Sequence, residues 1–192
     1  MTRAAVARNA SSPAAPLRRR PSPTPNKDRP ARPAGVAEYR RAKGGVDAYV
    51  RALAQAEPTQ LMQVEREGVA GTFVKDLAAS LGIAASRLFV ILGLPKATVE
   101  KKAAAGLRVA GSGGQAAIGM VRLLATAQRI VGDSTSPQAS ESDFDVAKWL
   151  GRWIEQPQPA LGGRRPSDML DTPTGMTVVA RLLGSLESGA YQ

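Results

Sequence analysis

The apolar residues of this chain recur three and four positions apart, in short runs that a Gly or a Pro interrupts. That spacing lines one face of a helix, whereas a half-buried strand alternates with a period of two. Val46, Tyr49, Val50 and Leu53 make one such face, closed by Pro58. A second stretch carries Leu61, Met62 and Val64 and ends at Gly68. Phe73, Val74, Leu77 and Leu81 form a third stripe, with Thr72 as the expected N-cap and Gly82 as the stop. Leu88, Ile91 and Leu92 repeat the format up to Gly93, and Lys96 to Lys102 forms a short basic helix packed through Val99. Beyond a Gly-rich break from Gly106 to Gly114, a longer helix carries Ile118, Val121, Leu124, Ala127 and Ile130 or Val131. The expected fold class is all-α.

Three domains are expected: residues 1–34 as a basic Pro/Arg-rich tail without fixed structure, 35–132 as a helical unit, and 133–192 as a small three-helix unit. The tail has almost no large apolar residue, so it cannot offset its ordering entropy by burial. It holds eight Arg and Lys against Asp28, which is +7 of the formal +10. The high pI therefore belongs to the tail and does not establish a basic face on the folded part. The tail is either solvated or attracted to phosphates in a salt-dependent way.

The chain has no Cys and no His, which removes disulfides, thiolate sites, the usual zinc sites and His-based triads. No Ser or Thr lies in a nucleophile-elbow context. An enzyme is not expected, nor is a cofactor or a metal. No apolar run approaches the roughly 20 residues that span a bilayer, and no secretory signal is read, so a cytoplasmic protein with no membrane partner is expected.

In the last fifty residues Ala147, Leu150 and Ile154 share a helical face that starts near Asp143 or Asp145, where a carboxylate caps orphan amides. Pro157 and Pro159 forbid continuation, Gly162 and Gly163 supply a turn, and Pro166 opens a second short helix ending near Asp171. Pro173 opens a third, with Met176, Val179, Leu182, Leu183 and Leu186 on one face and Gly189 as its stop. Trp149 and Trp153 stand one turn apart on the flank of the first helix. Both belong to the core, or one stays partly exposed and anchors a partner, since Trp is enriched at binding hot spots.

These residues carry a resemblance. Ala147 with Trp149-Leu150, the turn Pro157 to Gly163, Pro166-Ser-Asp-Met-Leu-Asp-Thr172, and Gly175, Val178 or Val179, Leu182, Leu183, Glu187 and Gly189 follow in the order seen in the Xre/MbcA/ParS antitoxins. The segment is similar to their C-terminal toxin-binding domain, and the region before it to their helix-turn-helix unit. The resemblance implies an antitoxin of a type II toxin–antitoxin system. Its partner would be a cognate RES-fold toxin that degrades NAD or transfers ADP-ribose, occluded at its active site. It also implies a homodimer that represses its own operon by binding operator DNA. The candidate toxin-binding residues are Trp149, Trp153, Arg164, Arg165, Glu187, Ser188, Gly189, Ala190, Tyr191 and Gln192. Arg164 and Arg165 are otherwise solvated loop residues, and Glu187 an ordinary helix-end acid.

Two helix-turn-helix registers compete. Ala78 and Gly82, followed by Leu88 and Ile91, give the better generic spacing. In the other, Gly93 is the turn and Lys96 to Lys102 the recognition helix, and here Leu92-Gly93-Leu94 with Thr98 resembles the family. The DNA-binding candidates are Arg87, Lys96, Thr98, Lys101 and Lys102, which suit phosphate and base contacts from a helix in the major groove. The competing functions are a standalone helix-turn-helix transcriptional regulator, and an RNA- or membrane-surface-binding protein acting through the tail.

Overall fold

The helical spacing is realised as eight α-helices in a computed structural model of the chain, which describes residues 38–134 and 144–186. In order these are α1 (Gly45–Ala54), α2 (Pro58–Glu67), α3 (Gly71–Ser80), α4 (Ala85–Ile91), α5 (Lys96–Ala104), α6 (Ser112–Ser134), α7 (Val146–Ile154) and α8 (Pro173–Ser185). Two-residue strands β1 (Val69–Ala70) and β2 (Arg108–Val109) pair antiparallel, and single 3₁₀ turns at Pro159–Leu161 and Pro166–Asp168 link α7 to α8. The expected tail, and Glu187 to Gln192 with the Gly189 stop, lie outside the described residues.

Local sequence explains the starts of α2, α7 and α8. Asp145 accepts from the Lys148 amide at 3.0 Å and Thr172 from the Gly175 amide at 3.1 Å, each satisfying an orphan donor of a first turn. Glu57 and Gln60 cap α2 reciprocally, with Pro58 in its first turn. α3 departs from expectation: it begins at Gly71, and the Thr72 side chain does not cap it. The Gly71 amide donates instead to the Leu107 carbonyl at 3.0 Å. That carbonyl is in reach because Val69 sits opposite Val109 in the β1–β2 pair. The Gly-rich break thus contains a strand, too short for any alternation to show in the sequence. The second element of the C-terminal segment is likewise a single 3₁₀ turn rather than an α-helix, since the chain needs only three residues to carry the buried Pro166 and Ser167 toward Leu170.

α6 is the axis of the fold. Ile118, Val121, Leu124 and Ala127 are buried as their stripe predicts, and so are Ala117, Met120 and Leu123 beside it. The reason is tertiary: α6 packs on α1, α2, α7 and α8. One apolar core runs from Val46 and Tyr49 through Phe73, Leu77 and Leu88 to Leu150, Ile154, Val179 and Leu183.

The α3–α4 and α4–α5 corners are built alike. Gly82 and Gly93 have φ of 67° and 62°, the left-handed region that a side chain disfavours. In each corner an amide reaches back across the turn: Ile83 donates to the Ala78 carbonyl at 3.0 Å, and Leu94 to the Phe89 carbonyl at 2.7 Å. Both candidate corners are therefore tight glycine turns between two helices.

Candidate functional site

α7 buries Ala147, Leu150, Gly151, Trp153 and Ile154 along one side. Its aromatic flank forms a ladder. Trp149 and Trp153 stack with ring centroids 6.2 Å apart and planes 20° from parallel, and Phe144 lies 6.3 Å from Trp149. Phe144 precedes the Asp145 cap and Trp149 occupies the fourth helical position, which is the geometry of a hydrophobic staple. The rungs differ in depth: Trp153 is 8% exposed and belongs to the core, Trp149 is half-buried, and Phe144 is 45% exposed. Phe144 was not among the sequence candidates. Its position just before a capping Asp was the signal available. The Lys148 amide and side chain hold the Asp145 carboxyl below the usual carboxylate range, and Lys148 Nζ sits 2.9 Å from it.

Beyond α7 the chain folds into a tight turn. The Gln158 amide donates to the Arg164 carbonyl and the Gly163 amide to the Gln158 carbonyl, both at 3.0 Å. This pairing leaves the side chains of Arg164 and Arg165 exposed on the surface. Arg165 Nη1 approaches Glu155 at 3.8 Å.

The same Glu155 is gripped from α4. Arg87 Nε donates to Oε1 at 2.8 Å and Arg87 Nη2 to Oε2 at 2.9 Å, the bidentate arrangement that suits a planar guanidinium. The buried Ser167 hydroxyl lies 3.4 Å from both groups. The Arg87 fork, outweighing partial burial, holds the Glu155 carboxyl below its ordinary range, and the Glu155 carboxylate raises Arg87 in turn. Two candidates taken for different tasks, Arg87 and Arg165, thus meet at one carboxylate. Glu155 was missed as a site residue. It caps the C-terminus of α7, where the helix dipole disfavours an unpartnered acid, and that was the clue to a cationic partner.

The remaining DNA-binding candidates lie on α5. Lys96, Thr98 and Lys101 are exposed, Lys102 is half-buried, and the helix is anchored by the buried Val99. Lys96 lies 3.9 Å from Glu100. α4 is less open, with Leu88, Phe89 and Ile91 buried, and the C-terminal segment approaches both of its corners. Lys148 lies beside Gly82 and Asp171 beside Gly93, and a Cβ added to Gly151 would collide with the Leu81 carbonyl oxygen. Glu187, Ser188, Gly189, Ala190, Tyr191 and Gln192 lie outside the described residues. Among the described residues no group of three or more His, Cys, Asp or Glu could hold a metal, and no helix is long and apolar enough to cross a membrane.

Residues 126–189 match the model of the Xre/MbcA/ParS antitoxin C-terminal toxin-binding domain, a stretch that takes in the aromatic ladder, the Arg164–Arg165 turn and α8. A protein of Sphingobium sp. (strain YBL2) named Prs ADP-ribosylating antitoxin is 35% identical over 156 residues, which make up 81% of this chain and 95% of that protein. The chain is therefore similar to that antitoxin well beyond the C-terminal segment.

Proposed function

Because the chain belongs to the Xre/MbcA/ParS antitoxins, proteins that bind a toxin rather than catalyse a reaction, we propose that its partner is a RES-fold toxin that consumes NAD or transfers ADP-ribose, neutralised by occlusion of its active site. The observation that carries this reading is the ladder on α7. Trp149 and Phe144 lead from the core to solvent, an aromatic anchor backed by the fixed ring of Trp153. A relative whose name joins ADP-ribosylation to antitoxin action supports the toxin's chemistry. Arg164 and Arg165 are the polar rim, steering encounter with an acidic surface. Glu187 to Gln192 supply a carboxylate and the Tyr191 ring for a cleft that holds nucleotide phosphates. Co-expression with the co-encoded toxin tests this. Growth arrest and NAD or ADP-ribosyl turnover should be suppressed by the full chain, and suppression should weaken when Ser188 to Gln192 are removed. Undiminished suppression by the truncated chain would take the tail out of the mechanism.

Autoregulation is the second part of the proposal. Lys96, Thr98, Lys101 and Lys102 on α5 form the DNA-reading face, and a homodimer would present two such faces to a two-fold operator. Arg87 flanks this face but holds Glu155. A salt-sensitive operator complex formed by a chain with no co-encoded toxin would favour the standalone regulator instead.

A further inference from the structure

The turn from Gln156 to Asp168 carries Arg164 and Arg165, and its conformation is held at two levels. Internally, Gln158 and Arg164 are paired through their backbones. Its two ends, however, are fastened to the rest of the molecule by one polar cluster. Glu155 opens the turn and Ser167 closes it, and both lie in reach of the Arg87 guanidinium. Arg87 comes from α4, 68 residues before Glu155 in the chain. A bidentate fork fixes both oxygens of a carboxylate and so fixes its plane, whereas a single ammonium fixes only a distance. With the plane of Glu155 set, Ser167 and Arg165 have one carboxylate geometry to meet. Ser167 is buried, so a misplaced carboxylate would leave its hydroxyl short of a partner. Packing reinforces the Arg87–Glu155 pair: the close approach of Gly151 to Leu81 seats α7 on the α3–α4 corner.

We infer that Arg87 is a positioning residue for toxin binding, acting through Glu155 to hold the 156–168 turn, and with it Arg164 and Arg165, in the geometry the toxin meets. The inference rests on the toxin-binding reading above and deepens it. It gives the helix-turn-helix-like unit a task separate from DNA: α4 is the platform that preorganises the toxin-binding segment, which lowers the ordering cost of association.

The test uses the full chain and the co-encoded toxin, with Arg87→Gln, Glu155→Gln, the double variant and Arg87→Lys. Affinity is measured by calorimetry, and hydrogen exchange is followed at the Gln158 and Gly163 amides of the turn, with Leu77 on α3 as the internal reference. Arg87→Gln and Glu155→Gln should each weaken toxin binding by about tenfold, within the usual range of coupling between sites. The double variant should lose no more than either single one, because Arg87 works through Glu155. Arg87→Lys should recover only part of the loss. Exchange should quicken at Gln158 and Gly163 and stay unchanged at Leu77, which separates a loosened turn from a failing fold. Unchanged affinity in both single variants overturns the inference, as does a double variant that loses the product of the two single effects. A wild-type chain that ignored the co-encoded toxin would defeat the toxin reading. The exchange arm would then judge the Arg87–Glu155 pair by itself, with unchanged protection in Arg87→Gln counting against it.

Discussion

Gly151 on α7 lies against the carbonyl oxygen of Leu81 in the α3–α4 corner, so closely that no side chain fits between them. This contact seats the toxin-binding segment on the helical unit that precedes it. Backbone cannot retreat as a flexible side chain can, so Gly151→Ala should be destabilising despite the better helix propensity of Ala. An overpacking cost of about 1–3 kcal/mol is expected. Urea unfolding should show a lower midpoint with an unchanged slope.

The two tryptophans should separate stability from binding. Trp153 is core, so Trp153→Ala should cost about 3–5 kcal/mol of stability. Trp149 is half-buried, and its replacement should cost less stability but about 2 kcal/mol or more of toxin affinity, with Phe144→Ala following the same pattern more weakly. Thermal melting and calorimetry on the same variants check both halves. A Trp149→Ala chain with full toxin affinity would remove the ladder from the interface.

Glu155 makes stability depend on pH in a definite direction. Its folded-state pKa lies below the ordinary value of 4.5, so the folded chain holds its proton less tightly than the unfolded chain. The contribution is therefore complete above that ordinary range and is lost as pH falls through it to the lower folded value. Glu155→Gln should flatten this part of the acid-unfolding curve while leaving the neutral limb parallel. Asp145 is lowered in the same sense by Lys148, so some acid sensitivity should survive in Glu155→Gln and disappear further in the double variant with Asp145→Asn.

On α5, Lys101→Ala should weaken DNA binding nearly uniformly across sequences and reduce the slope of log affinity against log salt by about 1. Thr98→Ala should change sequence preference more than salt dependence, as expected of a residue at a base edge. Electrophoretic shifts at several salt concentrations distinguish the two. Toxin affinity should be the same in both variants, since neither residue lies in the turn or on the ladder.

Much of this molecule is legible in the order of its residues. The three-and-four spacing of Val46, Tyr49, Val50 and Leu53, and of Phe73, Val74, Leu77 and Leu81, marks helices because each helix buries its own stripe. Gly82 and Gly93 mark corners because only a residue without a Cβ adopts those angles at little cost. Pro173 marks a helix start because its ring suits a first turn, and Asp145 marks another because a cap bonds an amide three residues away. Thr72 had the same chemistry and was not used, since pairing of Val69 with Val109 brought another acceptor to the helix end.

The candidate site was legible only in outline. Trp149, Trp153, Arg164 and Arg165 lie on the segment that matches the family model, yet nothing within a helical turn of either tryptophan indicates which one is core. Sequence alone determined the eight helical stripes, the glycine corners, the Asp145 cap and the antitoxin pattern of the last fifty residues, because each of these rests on interactions spanning a few positions. Tertiary structure alone decided that Trp153 is buried while Phe144 is open, that α6 is enclosed by four other helices, and that Arg87 grips Glu155. Those outcomes depend on which surfaces meet across long stretches of chain, and a periodicity that specifies a buried face does not name the face it will be buried against.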